Sequence, residues 1–225
     1  MSDSPNTDEL TNQKRPYIAI EGCIGVGKTS LAKRLAETLN YETLLEQVED
    51  NPFLERFYNN ESNSALPTQL FFLFQRVQQL NELHRGELFE SAHVADFLID
   101  KDPLFAEITL DKDEHELYQQ VHKQMHIEAP IPDLVIYLQA PIDVLQSRIE
   151  SRGAANEQKI SNDYLNALND AYARFFHFYD QSPLLIINAT EIDWTNNEQD
   201  YQDLVQYMLN IRSGRHYYNP KSAMF

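Results

Sequence analysis

Residues 22–29 read Gly22-Cys23-Ile24-Gly25-Val26-Gly27-Lys28-Thr29, which satisfies G-x-x-x-x-G-K-[ST] at every defined position. The flanks fit too. Tyr17-Ile18-Ala19-Ile20 is an apolar run of strand length, and Thr29 to Leu39 carries Leu31, Leu35 and Leu39 at helical spacing. A strand, a glycine-rich turn and a helix in that order form a phosphate cradle. The glycines let successive backbone N–H groups curl inward, and the helix aims the positive end of its dipole at the same point. Lys28 is then placed for the β- and γ-phosphates of ATP, and the Thr29 hydroxyl for Mg2+. Gly22, Gly25, Val26, Gly27 and Ser30 complete the expected ATP-binding loop. Cys23, inside it, reads as a small packed residue rather than a nucleophile.

Outward from the loop, short apolar runs alternate with amphipathic stretches. Thr43-Leu44-Leu45-Glu46 is a second strand, followed by helical segments near 52–60 and 67–90. Ala92 to Ile99 is a third strand, interrupted by Asp96, and helices follow near 103–110 and 113–127. Asp133 to Leu138 is the clearest strand in the chain. Ile142 to Ser151 is helical, 153–161 is a polar loop, and Tyr164 to Tyr179 is helical again. Leu184-Leu185-Ile186-Ile187 is the last strand and 198–212 the last helix. Near-continuous apolar strands alternating with helices predict a parallel sheet covered on both faces. The expectation is a three-layer α/β domain over 15–212, with a five-stranded parallel sheet flanked by helices. Residues 1–14 are expected to be a mobile tail and 213–225 a loosely held one.

Composition excludes several classes. Among 225 residues, 18 Lys+Arg face 35 Asp+Glu, a net charge of −17. Such a field disfavours a nucleic-acid polymer or an anionic membrane as partner, and leaves small anions only where the few cations converge. One cysteine rules out an internal disulfide and a cysteine-rich metal site, and fits a reducing compartment. No stretch approaches the ~20 apolar residues of a membrane helix, and the polar start has no signal-peptide core. A cytoplasmic location is therefore expected. His122 and His126 are four apart, but Lys123 stands where a zinc protease helix needs Glu.

A phosphate loop does not choose the reaction. The chain lacks the Asp-x-x-Gly switch and Asn-Lys-x-Asp reader of a signalling GTPase. The apolar run 134–138 ends in Gln139 rather than the acid of a large-assembly ATPase. What remains is a small kinase acting on a bound metabolite. Glu46 falls at the carboxyl end of the second strand, where ligands of open α/β sheets gather, and can take a proton from an attacking hydroxyl. Leu66, Leu70, Leu73, Val77 and Leu80 make an apolar helix stripe, while Gln69, Phe72 and Arg76 share another face suited to a planar heterocycle. Arg148 and Arg152 are four apart ahead of Gly153-Ala154-Ala155, so they can close on a triphosphate or pair with Glu150 or Glu157.

Taken together, these features resemble the deoxynucleoside kinases, over roughly residues 16–210, and most closely the bacterial deoxyadenosine/deoxyguanosine kinase-like branch. The specific features are Glu46-Gln47-Val48, the spacing from Tyr58 to Gln69 to Arg76, and Arg148-Ile149-Glu150-Ser151-Arg152-Gly153 followed by Asn156-Glu157-Gln158. The resemblance implies a P-loop kinase fold and transfer from ATP or another triphosphate, with Mg2+, to the 5′-hydroxyl of a deoxynucleoside, a purine first. It implies Glu46 as base and Lys28, Arg148 and Arg152 at the donor phosphates. Tyr58 and Glu157 would hold the sugar, and Gln69, Phe72 and Arg76 the base. Thr190, Glu191 and Ile192 would lie against the donor adenine. It also implies a homodimer. The family's Glu/Asp-Arg-Ser after the third strand is replaced by Ala95-Asp96-Phe97. Asp96 then stands for the acid near Mg2+ and the substrate, and Lys101 for the lost positive charge. Two alternatives stay open. A nucleoside monophosphate kinase would want arginines at the acceptor, where only Arg56 and Arg76 are available. A P-loop binding protein with weakened catalysis is the other.

Overall fold

The computed structural model describes residues 17–85, 92–154 and 157–219. Its first strand, β1 (Tyr17–Gly22), is buried along its whole length and feeds the glycine loop into α1 (Lys28–Leu39). The chain continues through β2 (Glu42–Leu44), a 3-10 turn at Val48–Asp50, α2 (Leu54–Tyr58) and α3 (Ala65–Arg85). Next come β3 (His93–Ala95), a 3-10 turn at Ile99–Lys101, α4 (Asp102–Thr109) and α5 (Lys112–Gln124). After β4 (Leu134–Gln139) and α6 (Ile142–Arg152), a 3-10 turn at Glu157–Lys159 leads into α7 (Asn162–Phe178). The chain ends with β5 (Leu184–Asn188), α8 (Glu198–Leu209) and β6 (Arg215–Tyr218).

The strands form one parallel sheet in the order β2-β3-β1-β4-β5-β6. In β1, Ile18 sits opposite both Val94 of β3 and Leu134 of β4. The central strands are apolar on both faces because helices cover both. Ile18, Ile20, Val135, Ile136, Leu185 and Ile187 are fully enclosed, each worth about 1.5–3 kcal/mol of burial. A second cluster joins α3, α4 and α5 through Leu73, Val77, Leu80, Ile99, Ala106 and Tyr118. It takes up the predicted stripe of α3 and leaves the Gln69–Phe72–Arg76 face to line a cavity. Among the described residues, no helix is long and apolar enough to cross a membrane.

The sheet has six strands where five were expected. The sixth, β6, lies inside the stretch read as a loose tail, and pairs in parallel with β5 from Leu184↔Arg215 to Ile187↔Tyr218. Arg215-His216-Tyr217-Tyr218 carries no aliphatic signal because an edge strand buries little. Arg215 donates to the carbonyls of His177 and Tyr179, and Tyr218 packs on Tyr207 with ring centroids 5.1 Å apart. The third strand is also shorter than the expected 92–99. The Asp96 N–H still donates to Leu44 of β2, but its carboxylate turns to Thr29 and the Glu46 backbone, and the Leu98 N–H donates to the Glu21 carboxylate at 2.6 Å in place of a strand neighbour. The expected tail at 1–14, Ala155-Asn156, and the last residues from 220 on lie outside the described residues.

Candidate active site

The chain reverses direction across the sheet at β1, whose neighbours β3 and β4 lead to opposite edges. The crevice outside such strand ends is where open α/β sheets bind ligands. Here it holds a cavity of about 440 Å³. One end is the glycine loop, represented by Gly25, Gly27, Lys28, Thr29 and Ser30. Gly22 and Gly27 have φ of 147° and 104°, a range open mainly to glycine. A Cβ on Gly27 would meet the Trp194 ring at 2.8 Å, and one on Gly22 the Leu138 carbonyl at 2.5 Å. The loop is thus pressed between β4 and the segment after β5. Lys28 Nζ donates to the carbonyls of Gly22 at 2.8 Å and Cys23 at 3.3 Å. Burial lowers its pKa, and nearby Lys101 lowers it further. Burial pushes the Cys23 thiol up to about 11, as suits a packed, unreactive residue.

Midway along the cavity, Thr29 Oγ1 donates to Asp96 Oδ2 at 2.5 Å, and Asp96 Oδ1 accepts from the Glu46 backbone N–H at 2.8 Å. One aspartate therefore ties the phosphate loop to the segment bearing Glu46. Arg76 Nε donates to Glu46 Oε1 at 2.8 Å, and its two terminal nitrogens pair with Glu46 and Asp102. Lys101 Nζ lies 3.4 Å from Glu21 and 3.5 Å from Glu46. Burial pushes the Glu46 carboxyl up, but Arg76, Lys101 and Lys28 outweigh it and hold the group at about 2. Glu46 is an anion clamped by cations.

Another part of the cavity lies against α3. Gln69, Phe72 and Arg76 are buried and line it together, with Thr68, Phe105 and Tyr164. The Arg76 guanidinium sits 5.2 Å from the Phe72 ring centre. Tyr58 and Glu157 face the same cavity, and burial followed by the Glu157 charge raises the Tyr58 pKa.

The Deoxynucleoside kinase family profile matches residues 18–211. This chain belongs to that family. A deoxynucleoside kinase is a phosphotransferase with an alcohol acceptor, and its members use a nucleoside triphosphate donor. The chain is 33% identical over 201 residues to the deoxyguanosine kinase of Bacillus subtilis, covering 87% of this chain and 97% of that one. It is 28% identical over 208 residues to the deoxyadenosine/deoxycytidine kinase of the same organism, covering 88% and 94%. The solved deoxyadenosine kinase from M. mycoides with dCMP and dCDP superposes with a TM-score of 0.74 at 26% identity, covering 85% of this kinase and 98% of that chain.

Not every predicted site residue of this kinase faces the cavity. Gly22, Val26, Arg148, Thr190, Glu191 and Ile192 lie beside it. Arg148 is half-buried and donates to the carbonyls of Val26 at 3.1 Å and Ala189 at 2.6 Å, stitching the loop to the segment after β5. Ile192 is packed in the core, and the Thr190 N–H donates to Asn188 Oδ1. Arg152 does line the cavity, yet it pairs with Glu157 at 2.9 Å, so the phosphate-closing and ion-pair readings meet in one residue. Arg152→Lys is expected to raise the KM for ATP and lower kcat by about tenfold, since an ammonium cannot reproduce a planar fork on phosphate. Steady-state kinetics with both substrates varied checks it; an unaltered pair of values leaves Arg152 as a surface ion pair.

Besides the lining residues Thr68, Phe105 and Tyr164, two buried acids escaped the sequence reading. Glu21 is fully buried and accepts from Gly22 N, Leu98 N and Tyr172 Oη. Its signal was an acid inside an apolar strand. Asp102, fully buried opposite Arg76, reads in sequence as an ordinary helix-start acid before Pro103.

Proposed function

We propose that this chain transfers the γ-phosphoryl group of ATP to the 5′-hydroxyl of a deoxynucleoside, giving the 5′-monophosphate, with a purine and first deoxyadenosine as acceptor. One observation carries the reading: a single cavity joins the phosphate loop, the Glu46 carboxylate and the Gln69–Phe72–Arg76 slot. Its volume of about 440 Å³ and its lining suit a nucleoside laid with the sugar at Tyr58 and Glu157 and the 5′-oxygen toward Glu46. The Gln69 amide offers both an acceptor and a donor, so it can pair with a purine edge, while Phe72 supplies a wall. Arg76 is committed to Glu46 and Asp102, which leaves Gln69 as the adaptable reader.

Thr29 Oγ1 and Asp96 Oδ2 bring a hydroxyl and a single carboxylate together beside the loop. That hard-oxygen pair suits Mg2+, which takes one or two carboxylates and fills its remaining positions with phosphate oxygens and water. Thr29 and Asp96 would hold the ion, which neutralises charge on the triphosphate. A homodimer of the 26.2 kDa chain belongs to the same reading and is checked by light scattering.

The test is turnover of ATP with Mg2+ against a panel of deoxynucleosides and their monophosphates. Phosphorylation of deoxyadenosine above the pyrimidines is expected, and phosphorylation of monophosphates alone would overturn the reading. A site built to bond a hydroxyl rejects an acceptor lacking it strongly. A 2′,3′-dideoxynucleoside should therefore be poorer by about 100-fold or more in kcat/KM, and Glu157→Ala should shrink that gap. Equal turnover of the two acceptors would remove Tyr58 and Glu157 from the sugar site.

A further inference from the structure

Lys101 is a lysine only 2% exposed, on the 3-10 turn between β3 and α4, and it lines the active-site cavity. Its ammonium stands between two carboxylates, Glu21 at 3.4 Å and Glu46 at 3.5 Å, with the Phe105 ring centre 5.7 Å away. It differs from Arg76, the other cation on Glu46. Arg76 is locked, with Nε 2.8 Å from Glu46 and a second carboxylate, Asp102, behind it. Lys101 makes longer contacts on a flexible stem. Glu21, by contrast, is fixed by Leu98 N, Gly22 N and Tyr172 Oη, so its position does not depend on Lys101. Lys101 also lines the same cavity as Lys28 and the phosphate loop, so its ammonium is placed to meet a phosphoryl group there.

Resting on the kinase reading above, we propose that Lys101 is the cation that passes from Glu46 to the transferring phosphoryl group during the reaction. The 5′-hydroxyl gives its proton to a Glu46 carboxylate oxygen. The 5′-oxygen forms its bond to the γ-phosphorus while the bond from that phosphorus to the β,γ-bridging oxygen breaks. The leaving diphosphate keeps the electron pair. Once protonated, Glu46 no longer holds Lys101, which stays an ammonium throughout, keeps Glu21 and turns the freed N–H to the phosphoryl oxygens. Arg76 keeps Asp102 and remains in place. The exchange releases the base from one of its clamps at the moment negative charge collects beside Lys28. Lys101 is thus a catalytic residue that touches the reacting group, not a buried structural charge.

The experiment compares wild-type enzyme, Lys101→Gln and Lys101→Arg for kcat and for nucleoside Kd by calorimetry, with circular dichroism to verify folding. Loss of one preorganised donor at such a centre costs about 10²–10³ in kcat. The glutamine variant is expected to lose at least about 100-fold in kcat while Kd moves by less than about threefold. The arginine variant should recover about tenfold or more of that loss. If glutamine unfolds the chain, Lys101→Met keeps the stem against Phe105 and must show the same split. A neutral variant with wild-type kcat overturns the proposal, and so does parallel loss of kcat and nucleoside affinity. Wild-type enzyme that turns over no deoxynucleoside would instead fail the kinase reading itself, whatever the variants do.

Discussion

Lys28→Ala is expected to abolish phosphoryl transfer while leaving the chain folded. The ammonium is held over the loop by the carbonyls of Gly22 and Cys23, so it is already placed where the β- and γ-phosphates enter. Its methylene stem contributes little to the core, which is built from the sheet and the faces of its helices. The fold should therefore survive, with an unfolding midpoint close to wild type. The rate should not. A cation acting on developing phosphate charge, partly shielded from water, is worth several kcal/mol of transition-state stabilisation, or at least about 100-fold in kcat. Turnover of deoxyadenosine by purified variant, with thermal unfolding measured in parallel, gives the result. Near wild-type turnover would sink the phosphate-loop assignment. A lost rate together with a lost unfolding transition would make Lys28 a folding residue instead.

The loop could be read from eight residues because the physics there is local. Backbone curl, glycine φ and the start of a helix are set by neighbours in sequence. The parallel sheet was legible for a related reason: strands covered on both faces must be apolar throughout, as in Leu134 to Leu138. β6 was not, because an edge strand held by backbone pairing and by Arg215 carries no such run. Glu46, Gln69, Phe72 and Arg76 were singled out from strand-end position and helix spacing, and they line one cavity. The grouping that gives them chemistry is nonlocal. Arg76 meets Asp102 across 26 positions and Glu46 across 30, and Glu21 meets Tyr172 across 151. No periodicity encodes those meetings. The placement of Arg148 shows the same limit from the other side. Its spacing from Arg152 put both arginines on one helix face, but the fold turns one to loop carbonyls and the other to the cavity.

Glu46→Gln should keep nucleoside binding and lose the rate. Glutamine has the same shape and can still accept from Arg76, so the acceptor slot keeps its floor. It cannot take up the 5′-hydroxyl proton, and loss of a general base costs about 10²–10⁴-fold. The low pKa of Glu46 sharpens the test. Arg76, Lys101 and Lys28 outweigh burial and hold the carboxyl at about 2 against an ordinary 4.5, so the free enzyme carries the base ionised over the whole working range. The pH profile of kcat/KM for the nucleoside should then show no Glu46 step between about pH 4 and 5. The same shift is a stability statement. A carboxyl lowered by folding stabilises the native state fully above its ordinary value, and the contribution shrinks as pH falls through the lowered one. Wild type should therefore be more stable than Glu46→Gln at neutral pH, and the gap in unfolding midpoint should narrow by about pH 3. Unchanged kcat with a raised nucleoside KM would make Glu46 a binding residue and pass the base role to Asp96. That carboxylate already accepts from the Thr29 hydroxyl and the Glu46 N–H, one on each oxygen, and each oxygen keeps a lone pair to act with.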